Sequence, residues 1–401
     1  MKSSVKLLGV MFLLSSLFWG ACTHEKTSAN EFVGNANALL DSIFVYYQQG
    51  KVGLFNENYP KKDGDVVTYL ADADTIRKDK VAYLWPTSGV FSAVNALLKA
   101  TSDTSYAQLL DTCIIPGLHC YVDTTRLPVC YQSYLAEAGH SDRFYDDNIW
   151  LGIDYVESYE LTKKSEYTNE AERIWNFLES GRDSILGDGI YWCEQKKHSK
   201  NTCSNAPASV LALKLYQITK DEAYLNAGKE LYQWTKTHLQ DSTDGLYFDN
   251  ISLQGKVTKW KFQYNSGQMM QAAALLFKHT QDSLYLEDAQ QLAKACDRFF
   301  FEDFVADDGT QFRALKNGNV WFVAIMLRGF EEVYAVDGDK RYLNQFIETL
   351  RYMWNHNTNV NKLFDDECFV VLPEKKKESK WLLTQAAMVE MYARLANYIN
   401  K

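Results

Sequence analysis

Apolar residues recur at helical spacing along most of the chain, and the segments that carry them fall into two classes. One class is rich in small apolar residues on every side, as in the stretches 206–213 and 269–276. The other class combines an apolar stripe with many charges, as around residues 229–230 and 348–351. A helix that is apolar all round is buried inside a protein, whereas a one-sided helix lies at the surface. The pattern therefore predicts alternating inner and outer helices.

A short phrase of Thr or Asp followed by Tyr recurs between these helices. Its tyrosines are spaced by 61, 57, 61 and 57 residues, and they are Tyr106, Tyr167, Tyr224, Tyr285 and Tyr342. A period of this length indicates a repeated supersecondary unit. The Thr or Asp can cap the following helix, and the Tyr begins the apolar stripe of that helix. Each phrase is therefore predicted to be the turn within a helical hairpin.

Six such hairpins are predicted. Inner helices are expected to begin near Thr87, Asp146, Ala206, Tyr264, Val320 and Trp381. Outer helices are expected to begin near Thr104, Glu166, Glu222, Ser283 and Lys340, with a sixth at about residues 30–49. The N-terminal and C-terminal helices together supply the sixth hairpin, which favours a closed barrel over an open solenoid of helix pairs. The expected fold is an all-α (α/α)6 barrel of six inner and six outer helices, in one domain over residues 30–401.

Residues 1–21 are typical of an export signal. Lys2 and Lys6 precede an apolar run over residues 7–19 that is too short for an ordinary membrane-spanning helix. Small residues lead directly to Cys22, so we expect this cysteine to be acylated and residues 22–29 to form a tether, with no membrane contact beyond the lipid. A plain secretory signal with an incidental cysteine is the alternative. The expected location is the cell surface or the periplasmic face of the outer membrane.

Charge and cysteine spacing exclude several classes of partner. Loss of the signal segment removes two lysines and no acidic residue, which changes the formal net charge from −9 to −11 and argues against nucleic acid. No C-x-x-C pair occurs, and neither a zinc site nor another metal or cofactor is expected. Export permits disulfides, with Cys193 to Cys203, or Cys113 or Cys120 to Cys130, as the options. A monomer is expected.

In a closed barrel of this kind the N-termini of all inner helices point to the same end. The segments that meet there are rich in aromatic and amide side chains. The candidate substrate-binding residues are Trp85, Tyr145, Asn148, Trp150, Tyr191, Trp192, Asn205, Tyr264, Asn265, Gln268, Trp321 and Trp381. Aromatic rings stack on the C–H faces of sugars, and amides bond sugar hydroxyl groups. Their convergence predicts a carbohydrate cleft, while packing of the barrel mouth would explain any single ring.

Two adjacent carboxyl groups, Asp146 and Asp147, fall at one of these helix starts. Hydrolysis of a glycosidic bond commonly uses two carboxyl groups, one as the acid and the other as the nucleophile or base. The helix N-terminus favours the ionised form of one, while apolar surroundings and the like charge keep a proton on the other. The acid pairs at 307–308 and 365–366 fit turn or solvated positions better. A simple helix-capping pair is the alternative interpretation of Asp146 and Asp147.

The segment 143–150, Arg-Phe-Tyr-Asp-Asp-Asn-Ile-Trp, resembles glycoside hydrolase family 76, as do the segment 264–268, Tyr-Asn-Ser-Gly-Gln, and the Tyr-Trp-Cys-Glu loop between them. The resemblance covers about residues 30–400. It implies an endo-acting α-1,6-mannanase with a retaining mechanism, in which Asp146 is the nucleophile and Asp147 the acid/base, and α-mannan is the substrate. The chain departs from the family where Trp-Phe-Val at 321–323 stands in place of Phe-Lys-Gly, which affects the distal subsites.

Two other functions stay open. An unsaturated uronyl hydrolase of the same fold would bind an anionic sugar and would need clustered cations at the mouth, where the sequence offers Arg143, Arg313 and Lys380. A non-hydrolytic surface glycan-binding lipoprotein would keep the cleft without turnover. A sugar epimerase is disfavoured because none of the seven histidines falls at an inner-helix start.

Overall fold

The computed structural model describes residues 28–61, 66–67, 77–78, 80–367, 369–371 and 378–400. The predicted signal segment, Cys22 and most of the predicted tether lie outside these residues. None of the described helices is long and apolar enough to cross a membrane.

Helices form the body of the fold. Helix α1 covers residues 28–46. The helices that follow are α2 (Leu84–Thr101), α3 (Thr104–Leu109), α4 (Ile115–His119), α5 (Tyr145–Thr162), α6 (Ser165–Glu179), α7 (Thr202–Thr219), α8 (Glu222–Leu239), α9 (Gln263–Thr280), α10 (Ser283–Phe300), α11 (Val320–Asp337), α12 (Arg341–His356) and α13 (Leu382–Ile399). A π-helical segment, Leu110–Ile114, joins α3 to α4, so these three pieces form one interrupted outer helix.

The inner helices α2, α5, α7, α9, α11 and α13 form a closed ring. Each is buried over most of its length and contacts the next, and α13 packs on α2. The amphipathic helices lie outside this ring. The predicted (α/α)6 barrel is therefore confirmed, and the contact of α13 with α2 excludes the open solenoid. The predicted helix starts lie within three residues of the observed ones except at α7, whose polar first turn, Thr-Cys-Ser-Asn, carries no apolar periodicity.

The turns from inner to outer helices repeat one geometry. In three of them the last residue before the capping aspartate has a φ between 56° and 63°. The aspartate then accepts a hydrogen bond from the N–H two positions further on, as seen for Asp103, Asp221 and Asp282. This arrangement satisfies a free N–H of the outer helix without a long loop. The predicted capping role of aspartate in these turns is confirmed.

Every strand in the described ranges lies in a connection from an outer helix to the next inner helix. These strands form small antiparallel sheets: β1 (Gln48–Gln49) with β2 (Leu54–Phe55), β3 (Asn58–Tyr59) with β13 (Lys380–Trp381), β4 (Val66–Val67) with β5 (Arg77–Lys78), β6 (Val122–Asp123) with β7 (Cys130–Tyr131), β9 (Asn250–Ser252) between β8 (Ser199–Asn201) and β10 (Val257–Thr258), and β11 (Phe301–Val305) with β12 (Gln311–Leu315). We call the end that carries them the open end and the end that carries the short turns the closed end.

The described cysteines carry free thiols. They are Cys113, Cys120, Cys130, Cys193, Cys203 and Cys296. Both predicted disulfide options, Cys193 to Cys203 and Cys113 or Cys120 to Cys130, are therefore wrong. The thiols face other groups, because Cys203 lies beside Asp146 while Cys130 contacts the Asn148 side chain.

Charged side chains cross the interior of the barrel. Arg328 of α11 bonds Glu390 of α13 and lies 3.6 Å from Asp154 of α5. Arg394 of α13 bonds both Glu390 and Glu157 of α5. All five side chains are buried, so their charges are stabilised by one another rather than by water. The network ties three inner helices together.

Arg394→Met is expected to lower the free energy of unfolding by about 3–5 kcal/mol, because it leaves buried carboxylates without their partner. Arg341→Met is the matched control, since Arg341 pairs with Asp339 while its side chain is 69% exposed. A surface pair of that kind contributes only about 0–1 kcal/mol. Urea unfolding followed by circular dichroism measures both variants, and equal losses would contradict a stabilising role for the interior network.

Candidate active site

The first turn of α5 is held by the loop that precedes α7. The N–H of Tyr145 donates to the carbonyl of Trp192 at 3.0 Å, and Phe144 pairs with Cys193 in an antiparallel bridge. Asp146 and Asp147 follow directly in this first turn. The backbone contacts therefore bring Trp192 beside Asp146, at the helix end where a negative charge is favoured.

The side-chain amides of Asn148 and Asn205 also hold the loops around the first turn of α5 in place. The Asn148 amide donates to the carbonyls of Tyr131 and Phe144 and accepts the N–H of Tyr131. Asn205, at the start of α7, binds both backbone groups of Ile190 in the same way. Each amide satisfies buried backbone N–H and C=O groups. These two residues, predicted to bind substrate, instead hold the loops in place.

The carboxyl pair opens into a cavity of about 370 Å³ at the open end of the barrel. Besides Asp146 and Asp147, its wall consists of Glu57, Tyr83, Trp85, Pro86, Ser133, Phe144, Trp150, Trp192, Tyr264, Trp321, Phe322 and Trp381. Five inner helices contribute aromatic rings from their first turns or from the residue just before them. Such a wall, mostly aromatic with a few polar groups, is typical of a small-ligand site.

Indole rings pack edge to face at the centre of this wall. Trp321 lies with its ring centroid 5.3 Å from that of Trp85 and 5.0 Å from that of Trp150, and Trp85 lies 5.3 Å from Trp381. The indole N–H groups of Trp85 and Trp321 are buried and have no hydrogen-bond partner. Buried donors are normally paired, so these two groups are suited to bind oxygen atoms of a ligand.

The two carboxyl groups differ in their contacts. Oδ2 of Asp146 accepts the indole N–H of Trp192 at 3.1 Å, whereas its Oδ1 is buried without a hydrogen-bond partner. Both side chains keep some surface on the cavity, but protein atoms surround them closely. Burial raises the pKa of Asp146 to about 6, and the Cys203 thiol and the Trp192 indole oppose this rise.

For Asp147, burial and then the charge of Asp146 raise the pKa well above its ordinary value. At Asp146, hydrogen bonds to the charged form oppose the rise in pKa, whereas no such bond opposes the rise at Asp147. The pair therefore keeps one proton more readily on Asp147, while Asp146 is the carboxyl that ionises first.

Comparison with known proteins assigns a family to this site. The sequence model of glycosyl hydrolase family 76 matches residues 35–399. The chain belongs to glycosyl hydrolase family 76. The resemblance that the sequence analysis drew from the segments 143–150 and 264–268 is confirmed.

Solved family 76 structures share the fold over nearly the whole chain. A family 76 mannosidase of Bacteroides thetaiotaomicron is 30% identical, with a TM-score of 0.83 over 92% of this chain and 98% of that chain. A family 76 glycoside hydrolase from a bovine strain of the same species is 32% identical, with a TM-score of 0.82 over 92% of this chain and 78% of that chain.

A mannan endo-1,6-alpha-mannosidase of Candida glabrata is 27% identical over 171 residues, which are 39% of this chain and 38% of that protein. The chain thus spans well under half the length of this curated relative in the alignment.

Most of the aromatic residues that were predicted to bind substrate meet in the cavity of this family 76 protein. The residues brought together are Trp85, Trp150, Trp192, Tyr264, Trp321 and Trp381, with Asp146 and Asp147. In the segment 321–323, both Trp321 and Phe322 line the cavity, whereas Val323 is buried in the core.

Six other candidates lie outside the cavity wall. Asn148 and Asn205 anchor loops, as described above. Tyr145 stacks on Phe177 of α6 with ring centroids 4.6 Å apart. Tyr145 precedes Asp146 by one position on the helix, so its side chain points toward the outer layer of helices. The Tyr191 hydroxyl donates to Asp183 at 2.6 Å.

The last two of these six lie inside the barrel. Asn265 is buried beside Asp249, and the Gln268 amide donates to Gln271 at 2.8 Å. Residues at successive positions of an inner helix point in different directions, so the sequence segment alone did not separate cavity positions from interior ones.

Glu57 is a cavity residue that the sequence did not predict. Its carboxylate accepts the indole N–H of Trp381 at 2.5 Å and the backbone N–H of Tyr83 at 2.9 Å. The contact arises because β3 pairs with β13, which places Asn58 opposite Trp381 although more than 300 residues separate them. No local pattern around Glu57 signals this pairing. Tyr83 and Ser133 also line the cavity and were not among the predicted residues.

Asp146→Asn is expected to stabilise the family 76 protein at pH 8 and to have little effect at pH 3. Folding raises the pKa of Asp146 from 3.8 to about 6, so the folded state favours the protonated form. The stability that Asp146 gains from being protonated in the folded state is fully present below the pKa of the unfolded state and is lost as the pH rises through about 6. The difference in the free energy of unfolding should reach up to about 3 kcal/mol at pH 8. Thermal unfolding across this pH range measures it, and a difference that does not vary with pH would contradict the expected shift.

Proposed function

We propose that this protein is an endo-acting glycoside hydrolase that cleaves α-1,6-mannosidic bonds in mannan backbones with retention of anomeric configuration. The observation that carries the proposal is the adjacent pair Asp146 and Asp147 in a cavity walled by aromatic rings. Family membership supports the reaction class. The names of the Bacteroides mannosidase and the Candida mannan endo-1,6-alpha-mannosidase support the substrate.

Asp146 is suited to be the nucleophile. The Trp192 indole holds Oδ2, and the side chain lines the cavity in which the anomeric carbon of the sugar would lie. Its pKa of about 6 lets it ionise near neutral pH. The attack forms a covalent glycosyl-enzyme intermediate and breaks the bond to the leaving sugar.

Asp147 is suited to be the acid/base. Its raised pKa keeps the proton that the leaving glycosidic oxygen needs in the first step. The resulting carboxylate then takes a proton from the water that hydrolyses the intermediate, and both residues return to their starting forms. The unpartnered indole N–H groups of Trp85 and Trp321 would bind sugar oxygens in the cavity.

The structure does not favour an unsaturated uronyl hydrolase. The three cations that could bind an anionic sugar are each held in an ion pair: Arg143 with Glu194, Arg313 with Asp297, and Lys380 with Asp365. None of the three lines the cavity. A wall of rings with acidic groups and no cation suits a neutral sugar better.

Asp146→Asn and Asp147→Asn are each expected to lower kcat on linear α-1,6-mannan by at least about 100-fold, since each removes one of the two groups that the reaction uses. Release of reducing ends gives the rate, and NMR of the first product formed should show the α anomer. Asp307→Asn is the matched control, because Asp307 lies in the tight turn between β11 and β12.

Variants that fold normally by circular dichroism and cleave mannan at the wild-type rate would exclude this mechanism. Wild-type protein that binds mannan in calorimetry without releasing reducing ends would instead support the glycan-binding lipoprotein.

We also propose that the protein is exported and anchored through a lipid on Cys22. The support is the basic start, the short apolar run and the small residues before Cys22. In a bacterial host, metabolic labelling with a fatty acid should mark the wild type and not Cys22→Ser. Equal labelling of both, or wild-type protein in the soluble fraction only, would contradict the proposed anchor.

A further inference from the structure

Trp260 is an exposed indole close to the cavity. It lies between β10 and α9, and 67% of its surface is accessible. A single exposed apolar residue requires no functional explanation in itself. Trp260 differs because its ring continues the aromatic wall of the cavity.

A series of ring contacts links Trp260 to that wall. The Trp260 ring lies 6.3 Å from Phe262, centroid to centroid, and Phe262 lies 5.5 Å from Phe322. Phe322 lines the cavity and stacks on Tyr264 at 4.1 Å. The aromatic surface therefore runs without a break from the carboxyl pair to the outer rim of the open end.

The segment that carries Trp260 is held in place by other residues. The Lys261 ammonium bonds Asp241 at 2.6 Å and Asp244 at 2.7 Å, and it lies over the Phe248 ring. These contacts hold the backbone after Trp260, and the pairing of β10 with β9 holds the backbone before it, without use of the indole. The ring is thus presented to solvent from a rigid support, which reduces the entropy that is lost when a ligand binds to it.

We propose that Trp260 is a remote sugar-binding platform that stacks on a mannosyl residue of the polymer outside the cavity. The proposal rests on the proposed function, because an endo-acting enzyme must let its polymer leave the cavity on both sides of the cleaved bond. A cavity of about 370 Å³ encloses only a short part of such a chain. Mannan is neutral, so an uncharged ring rather than an ion pair is the suitable contact beyond the cavity.

This platform lies away from the carboxyl pair, because Phe262 and Phe322 stand between its ring and the cavity. Trp260 would therefore determine preference for long substrates rather than the chemistry of cleavage, and it is a specificity residue rather than a catalytic one.

The test compares kcat/KM on long linear α-1,6-mannan with kcat/KM on the shortest α-1,6-manno-oligosaccharide that the wild type cleaves. In Trp260→Ala the ratio of the two values should fall about fivefold, mainly through KM on the polymer, since one ring contact is lost. Trp260→Phe keeps a ring and should restore most of the ratio. Leu284→Ala is the control, because Leu284 is 65% exposed at the closed end and should leave the ratio unchanged.

A second measurement does not depend on cleavage. Calorimetry in the Asp146→Asn background should show about fivefold weaker binding of the mannan polymer when Trp260→Ala is added. If wild-type protein binds mannan but cleaves none, the proposed function fails. The change in mannan affinity caused by Trp260→Ala then shows by itself whether Trp260 binds the polymer. An unchanged ratio with unchanged affinity overturns the platform. A loss that is equal for short and long substrates overturns it too, and absence of both binding and cleavage overturns the platform together with the proposed function.

Discussion

Two carboxyl groups on adjacent residues at the start of one helix, with protein packed closely around them, are the constraint on which the open end depends. Their mutual repulsion and their loss of water both oppose folding, so the surrounding structure must hold them in place. Backbone bonds from the Trp192 loop and the amide of Asn148 do so directly. Asn205 and Gln385 repeat the amide device at two other inner helices, where Gln385 binds both backbone groups of Phe364.

Stabilising contacts elsewhere in the barrel offset the free-energy cost of burying this carboxyl pair. The closed end has short, capped turns, and the interior holds a paired network of arginines and carboxylates between three inner helices. Acidic groups occur in both places, but their partners differ. Glu157 faces Arg394 and Lys214, which lower its pKa well below the ordinary value against the effect of burial, whereas Asp147 faces another carboxyl group and its pKa rises. The same kind of side chain therefore supports the fold in one place and provides reactivity in the other.

The sequence predicted those features that depend on neighbouring residues. Helical periodicity and the repeated turn located the helices, and the position of Asp146 and Asp147 at a helix start identified the carboxyl pair. Features that depend on distant pairing were not predictable, and Glu57 is the clearest case because only the β3–β13 pairing brings it to Trp381. Asn148 and Asn205 show a second limit. An amide at a helix start suits a sugar hydroxyl and a backbone peptide group equally well, and only the fold shows which one it meets.

The direction of the first helix also bears on how the molecule can face its surroundings. Helix α1 runs antiparallel to α13: Tyr47 near its end bonds the Lys380 carbonyl at the open end, whereas Phe32 near its start packs on Tyr392 further down α13. The described chain thus begins toward the closed end, on the side of the barrel away from the cavity. A group joined at the start of α1 would therefore lie at the end of the barrel opposite the cavity mouth and leave that mouth uncovered.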